Sequence, residues 1–181
     1  MNDRPQTRHP RAVLFDRDGT LIVDVPYNRD PDRVMPMPTV RASVRALRTA
    51  RIPIGVVSNQ SGIARGLLSA DDVARVNRRV ESVVGRFDVW QVCPHSPEDA
   101  CTCRKPKPGM IVAAADRLGV RPSEIAVIGD IGSDVAAAHA AGARAVLVPT
   151  EHTRAEEVAS APLVAADVAS ALALLFAGVR S

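Results

Sequence analysis

The stretch Ala12-Val13-Leu14-Phe15-Asp16-Arg17-Asp18-Gly19-Thr20 runs from four apolar residues straight into two carboxylates placed two positions apart. A buried strand does not ordinarily end this way, because a carboxylate is costly to desolvate unless something positive meets it. In open α/β sheets the ligand crevice lies outside the carboxyl ends of the strands. Asp16 and Asp18 are therefore expected at a strand end, presented to a cation or a substrate. Asp and Gly are also ordinary turn formers, so the pair needs partners elsewhere in the chain before it carries a function.

The flanking sequence alternates apolar runs with helical spacing. A proline-rich loop occupies Asp24 to Met37, Val40, Val44 and Leu47 mark a helix over Thr39 to Arg51, and Ile52 to Val57 reads as a second strand. The polar turn Ser58-Asn59-Gln60-Ser61-Gly62 follows, then a capped helix start at Ser69-Ala70-Asp71-Asp72 running to about Val84, and a third strand over Phe87 to Val92. Beyond an irregular segment, Gly109 to Leu118 is a helix stopped by Gly119, and Glu124 to Ile128 is a strand ending in Gly129-Asp130-Ile131-Gly132-Ser133-Asp134. An alanine-rich helix to about Gly142, a strand over Ala145 to Val148, a weak helix after Glu151, a short strand at Leu163 to Ala165 and a helix from Asp167 to about Phe176 complete the pattern. This alternation predicts an α/β fold: a three-layer, Rossmann-like, mainly parallel sheet with helices on both faces. Residues 11–181 are expected to form one domain behind a flexible tail at 1–10.

Composition narrows the function classes. At 181 residues, 46% hydrophobic and 24% charged, the chain is that of a soluble globular protein, and no apolar run approaches the ~20 residues of a membrane span. Met1 to Arg11 is polar and contains proline, unlike a secretory signal, so a cytoplasmic protein is expected. The net charge of +3 comes from scattered basic residues with only three Phe, one Tyr and one Trp, which argues against nucleic acid as a partner. Only two of the 23 basic residues are lysines, Lys105 and Lys107. In a chain that otherwise uses arginine, a lysine points to a chemical requirement for a compact ammonium. A solvated surface charge is the competing reading, and the one adopted for Lys107.

The predicted topology gathers Asp16, Asp18, Ser58, Asn59 and Asp130 along one sheet edge. Three crowded carboxylates repel one another unless a cation sits among them, and hard oxygen donors suit Mg²⁺. Ser58, with nearby backbone N–H groups, and Lys105 offer hydrogen bonds and positive charge to an anion. The ordered set of Asp16-Arg17-Asp18-Gly19-Thr20, Ser58-Asn59, Lys105 and Gly129-Asp130 with Asp134 resembles the haloacid dehalogenase superfamily of phosphohydrolases, from about residue 11 to 176. The resemblance implies that Asp16 is a nucleophile forming an aspartyl-phosphate, and that Asp18 is the acid and then the base. It also implies that Asp16, Asp130 and the backbone carbonyl of Asp18 hold Mg²⁺, while Ser58 and Lys105 neutralise the transferring group. Covalent catalysis by one carboxylate with proton handling by the other is chemically coherent. Asp130 could instead be a simple helix cap, and Asp134 reads equally as a metal ligand or as a carboxylate behind the metal ligands or on the helix surface.

All three cysteines lie within Cys93-Pro94-His95-Ser96-Pro97-Glu98-Asp99-Ala100-Cys101-Thr102-Cys103. Cys93, His95, Cys101 and Cys103 supply the four donors of a closed, structural Zn²⁺ site that would pin this loop. A redox pair at Cys101 and Cys103 is the alternative, and it leaves Cys93 and His95 unexplained. The loop runs into Arg104-Lys105, so zinc would position the lysine. Together with Ser58 to Gly66, this run resembles the heptose 1,7-bisphosphate 7-phosphatases and the related histidinol-phosphate phosphatases, small enzymes without a separate cap domain. The resemblance implies a small phosphorylated sugar as partner, bound by Asp24, Tyr27, Ser58, Asn59, Gln60, Ser61, Arg104 and Lys105. Histidinol phosphate and a non-catalytic phosphometabolite-binding module are the other readings, the latter disfavoured by the presence of both Asp16 and Asp18. Two features depart from the family pattern: the short interval from His95 to Cys101, and Ile131 where many heptose phosphatases carry a lysine. A monomer is expected, His139 reads as a plain helix residue, and His9 and His152 are assigned no role.

Overall fold

In the computed structural model, which describes residues 9–177, five parallel strands form one sheet in the order β3-β2-β1-β4-β5. The strands are β1 (Ala12–Phe15), β2 (Ile54–Asn59), β3 (Val89–Cys93), β4 (Ile125–Gly129) and β5 (Arg144–Leu147). Between them run α1 (Val40–Thr49), α2 (Ala70–Val84), α3 (Gly109–Leu118) and α4 (Gly132–Ala141), and α5 (Ala155–Ser160) and α6 (Val168–Phe176) follow β5. The sheet is continuous in register, with Phe15 beside Val56 on one side and Ile128 on the other.

Period-two alternation along the strands divides the core into two layers. Val13, Phe15, Ala126 and Ile128 face the side covered by α1, α2 and α6, whereas Ala12, Leu14, Ile125 and Val127 face α3 and α4. Both faces are apolar, as a parallel sheet covered twice requires. The three-layer architecture expected from the sequence is the one observed. α2 opens with the expected capping box, in which the Ser69 hydroxyl accepts the Asp72 N–H at 3.0 Å and Asp72 accepts the Ser69 N–H at 2.8 Å.

Three differences concern the edges. The turn expected at Ser58 begins later, because β2 continues through Asn59, paired with Cys93. The strand expected at Leu163 to Ala165 reduces to a single bridge from Leu147 to Val164, since only Leu147 exchanges backbone hydrogen bonds with the segment. The expected tail falls largely outside the described residues, but within them His9 stacks on Phe176 with ring centroids 5.5 Å apart.

The chain crosses from one face to the other after β3, which places the reversal of strand order between β1 and β4. That is the switch point where open α/β sheets form their ligand crevice. The two longest connections on this edge, 16–39 and 94–108, hold only 3-10 turns at Pro31–Arg33 and Pro97–Asp99 and isolated bridges. The first folds back on itself through Val23 N–H to Met35 O and Met37 N–H to Leu21 O, at 2.9 and 3.0 Å. Among the described residues no helix is long and apolar enough to cross a membrane.

Candidate active site

The switch point opens as a cleft of about 240 Å³ lined by residues from four strand ends: Asp16 and Asp18 after β1, Asn59, Gln60 and Ser61 at β2, Lys105 before α3, and Asp130 and Ile131 after β4. Asp24 and Tyr27 of the first connection close one rim. Most of the residues singled out from sequence therefore meet here. Ser58 lies directly beneath, 1% exposed, its hydroxyl accepting from Gln60 Nε2 at 2.9 Å. Arg104 does not reach the cleft, because its guanidinium turns back to donate to His95 O at 3.2 Å.

Lys105 is the electrostatic centre. Its buried ammonium donates to Asp16 Oδ1 at 2.7 Å and to Val57 O at 2.9 Å, and it forms an ion pair with Asp134 Oδ1 at 2.5 Å. Burial opposes the charge, but Asp134 and Asp16 outweigh it and hold the pKa above the ordinary lysine value. The lysine backbone is fixed as well. Asn59 Oδ1 accepts the Lys105 N–H at 3.1 Å, and Asn59 Nδ2 donates to Lys105 O at 3.2 Å.

Asp18 is held from two sides. Arg17 reaches it with Nε at 3.1 Å and a terminal nitrogen at 3.0 Å while donating to Asn77 of α2 at 2.8 Å, and Gln60 Nε2 donates to it at 2.9 Å. Asp130 accepts from Thr20 Oγ1 at 3.3 Å. Gly19 makes room for it: the glycine has φ +77°, and a Cβ there would stand 2.2 Å from Asp130 Oδ2. Gly129 does the same for Asp134, whose own Cβ lies 2.3 Å from where a glycine Cβ would be.

Asp134, which by sequence fits a metal ligand, a place behind the ligands or the helix surface, is buried. Its Oδ2 accepts the Ile131 N–H at 3.2 Å, so one carboxylate both caps α4 and faces Lys105. Burial raises the pKa of Asp16, against the pull of Lys105 and with added repulsion from Asp134 and Asp18. Burial likewise raises Asp130, reinforced by Asp16 and Asp134. Four clustered carboxylates face only two engaged cations, Lys105 and Arg17. Carboxylate oxygens of Asp16, Asp130 and Asp134 lie within 4.8 Å of one another. The surplus negative charge and the hard donors fit Mg²⁺.

A second cluster sits behind Lys105. Cys93 Sγ lies 3.7 Å from Cys101 Sγ, 3.2 Å from Cys103 Sγ and 3.6 Å from His95 Nδ1, and Cys103 lies 3.5 Å from Cys101 and 3.3 Å from that nitrogen. A tetrahedral ion with bonds of about 2.0–2.3 Å spaces its donors about 3.5–3.8 Å apart, so the three thiols and the imidazole fit Zn²⁺. The Arg104 N–H donates to Cys101 Sγ at 3.3 Å, and Lys107, expected to be a plain surface charge, donates to Cys101 O at 2.5 Å.

Comparison with known proteins adds kinship to this geometry. A profile of the HAD-hydrolase-like family matches residues 102–175. Over 146 residues the chain is 39% identical to D-glycero-beta-D-manno-heptose-1,7-bisphosphate 7-phosphatase of Rhodopseudomonas palustris, covering 75% of this chain and 81% of that one. The chain belongs to the haloacid dehalogenase-like phosphatases. These are hydrolases of phosphate monoesters, and the family resemblance drawn from the motifs holds. A second member, the enzyme of the same name from Pseudomonas putida, is 33% identical over 168 residues, 88% of this chain and 96% of the other. The crystal structure of D,D-heptose 1,7-bisphosphate phosphatase from B. bronchiseptica, complexed with magnesium and phosphate, superposes with a TM-score of 0.80 at 29% identity, over 91% of this chain and 97% of that one.

The partners of several side chains in this phosphatase cleft carry no signal in a single sequence. Arg17 and Asn77 are joined only by the docking of α2, and Thr20 meets Asp130 across 110 positions. His152, from the loop after β5, also lines the cleft.

Proposed function

We propose that this chain is a Mg²⁺-dependent phosphomonoesterase that removes the 7-phosphate of D-glycero-D-manno-heptose 1,7-bisphosphate, a step toward nucleotide-activated heptose. The observation that carries the chemistry is the Lys105 ammonium bonded 2.7 Å from Asp16 Oδ1, opposite an Asp18 locked by Arg17 and Gln60. The substrate follows from the similarity to heptose bisphosphatases across most of the chain.

With Oδ1 engaged by Lys105, Asp16 attacks phosphorus through Oδ2. The bond from phosphorus to the ester oxygen breaks, and Asp18, protonated, gives its proton to the leaving sugar oxygen. Asp18 then takes a proton from water as that water attacks the aspartyl-phosphate, releasing phosphate and restoring Asp16. Lys105, whose three protons are already engaged, neutralises charge on the non-bridging oxygens as a fixed cation, and Ser58, whose hydroxyl accepts from Gln60, keeps its own O–H to donate. Asp16, Asp130 and the backbone carbonyl of Asp18 would hold Mg²⁺, which supplies further neutralisation of the phosphoryl group. Cys93, His95, Cys101 and Cys103 would hold a structural Zn²⁺. Asp24, Tyr27, Asn59, Gln60 and Ser61 face the sugar. Arg104, turned toward the zinc loop, serves substrate only after a change of rotamer.

The test is Asp16→Asn assayed with the bisphosphate and Mg²⁺. Phosphate release is expected to fall by about 10³-fold or more, since the amide cannot form the covalent intermediate. Turnover close to that of the unaltered enzyme would remove Asp16 from the nucleophile's role.

A further inference from the structure

A substrate with two phosphates needs a cationic or N–H partner for the one that does not react. Among the residues lining the cleft, the basic side chains are Arg17, Lys105 and His152. Arg17 and Lys105 are buried and committed to Asp18, Asn77, Asp16 and Asp134. The His152 side chain is 65% exposed, and its nearest charged partner, Glu151, stands 3.8 Å from Nε2.

The position of His152 is built into the fold. Thr153 Oγ1 donates to the backbone carbonyl of Asp130 at 2.6 Å, and the Thr150 N–H donates to Thr153 Oγ1 at 2.8 Å. The His152 N–H in turn donates to Thr150 Oγ1 at 3.2 Å. The loop is thus tied to the strand end that carries a proposed metal ligand. His152 and Asp24 also line a second cavity of about 400 Å³, bordered by Val23, Met37, Pro149 and Glu151. The two residues stand where that cavity meets the cleft, leaving space for the end of a substrate that extends away from the reacting phosphate.

We infer that His152 binds the second, non-reacting phosphate of the substrate. An imidazole donates an N–H to an anionic oxygen in either protonation state, and it can do so here without giving up an existing side-chain hydrogen bond. The inference rests on the bisphosphate reading above and names the residue that makes the second phosphate matter. Arg65, which donates to the Tyr27 hydroxyl at 2.8 Å from beyond the cleft lining, and Arg104, which now donates to His95 O and reaches the cleft only after a change of rotamer, are the rival cations.

The experiment measures kcat/KM for the heptose 1,7-bisphosphate and the heptose 7-phosphate, which share the scissile ester and differ by the second phosphate. The unaltered enzyme, His152→Ala, His152→Lys and Arg65→Ala are compared. His152→Ala is expected to lower the bisphosphate-to-monophosphate ratio about tenfold, mainly through KM, and His152→Lys to recover most of it. A preference that survives in His152→Ala, or that is lost in Arg65→Ala instead, overturns the inference and leaves the bisphosphate reading standing. An unaltered enzyme that does not prefer the bisphosphate overturns both.

Discussion

Lys105 meets two carboxylates and a carbonyl in a site almost closed to water, so its charge depends on partners that a single substitution removes. Asp134 contributes one of them and also accepts the Ile131 N–H at the start of α4. Asp134→Asn keeps a cap acceptor but withdraws the charge. Breaking a buried pair costs about 3 kcal/mol, and in a chain of this length that lowers Tm by about 6–12 °C, measurable by calorimetry. A change of Tm below about 2 °C would mean that Asp16 alone sustains the ammonium. Gly19 is the second such position. Gly19→Ala puts a methyl group against Asp130 Oδ2 and strains a backbone at φ +77°, so Mg²⁺ affinity is expected to drop by about tenfold or more on titration. The sequence displays both residues but not their partners. An aspartate three positions into a helix looks the same whether it only caps the helix or also faces a lysine 29 positions upstream.

Among the elements, the loop from Cys93 to Cys103 most directly couples folding to the cleft. It leaves the sheet at Cys93, gathers four metal donors and delivers Lys105, whose backbone is then clasped by Asn59. The cluster was legible because all three cysteines of the chain fall in one short run with a histidine, a donor set that suits a tetrahedral metal and leaves a disulfide framework one thiol over. The direction of Arg104 was not, since it depends on a carbonyl of the same folded loop, His95 O. Cys101→Ser, or chelation of the metal, is expected to cost several kcal/mol of stability and to lower activity in parallel, read by thermal melts and metal analysis of the purified protein. Active protein free of zinc would remove that coupling. The strands and helices followed from their apolar periodicity, because β1, β2 and β4 are buried on both faces and α1, α2, α3, α4 and α6 on one, whereas α5, the weak helix after Glu151, buries no residue. The segment at 163–165 fell short of a strand because it lies past the sheet edge at β5, where one residue bridges and no further partner continues the ladder.

The fold taken together brings carboxylates from the first and fourth strands to one switch point, and that assembly sets the response to pH. Burial raises the pKa values of Asp16 and Asp130 above the ordinary carboxylate value of 3.8. Burial thus favours the protonated forms more than water does, and Mg²⁺ binds the ionised ones. Mg²⁺ uptake is therefore expected to release protons, and its apparent affinity to rise with pH between about 6 and about 8, as measured by titration calorimetry in buffers of different ionisation enthalpy. Uptake without proton release would place the cation away from these two carboxylates. The sheet edge on which they meet was predictable from strand ends alone. The loop that carries His152 was not, because Thr153 reaches the carbonyl of Asp130 only once β4 and β5 are paired. The substrate and the ester cleaved separate the proposed reaction from hydrolysis of histidinol phosphate. Turnover of D-glycero-D-manno-heptose 1,7-bisphosphate and of histidinol phosphate, compared side by side with ³¹P NMR of the products, decides between them. The prediction is a kcat/KM about 10²-fold higher for the bisphosphate, with heptose 1-phosphate and inorganic phosphate as the products. Comparable rates on both substrates, a preference for histidinol phosphate, or release of the 1-phosphate would contradict it.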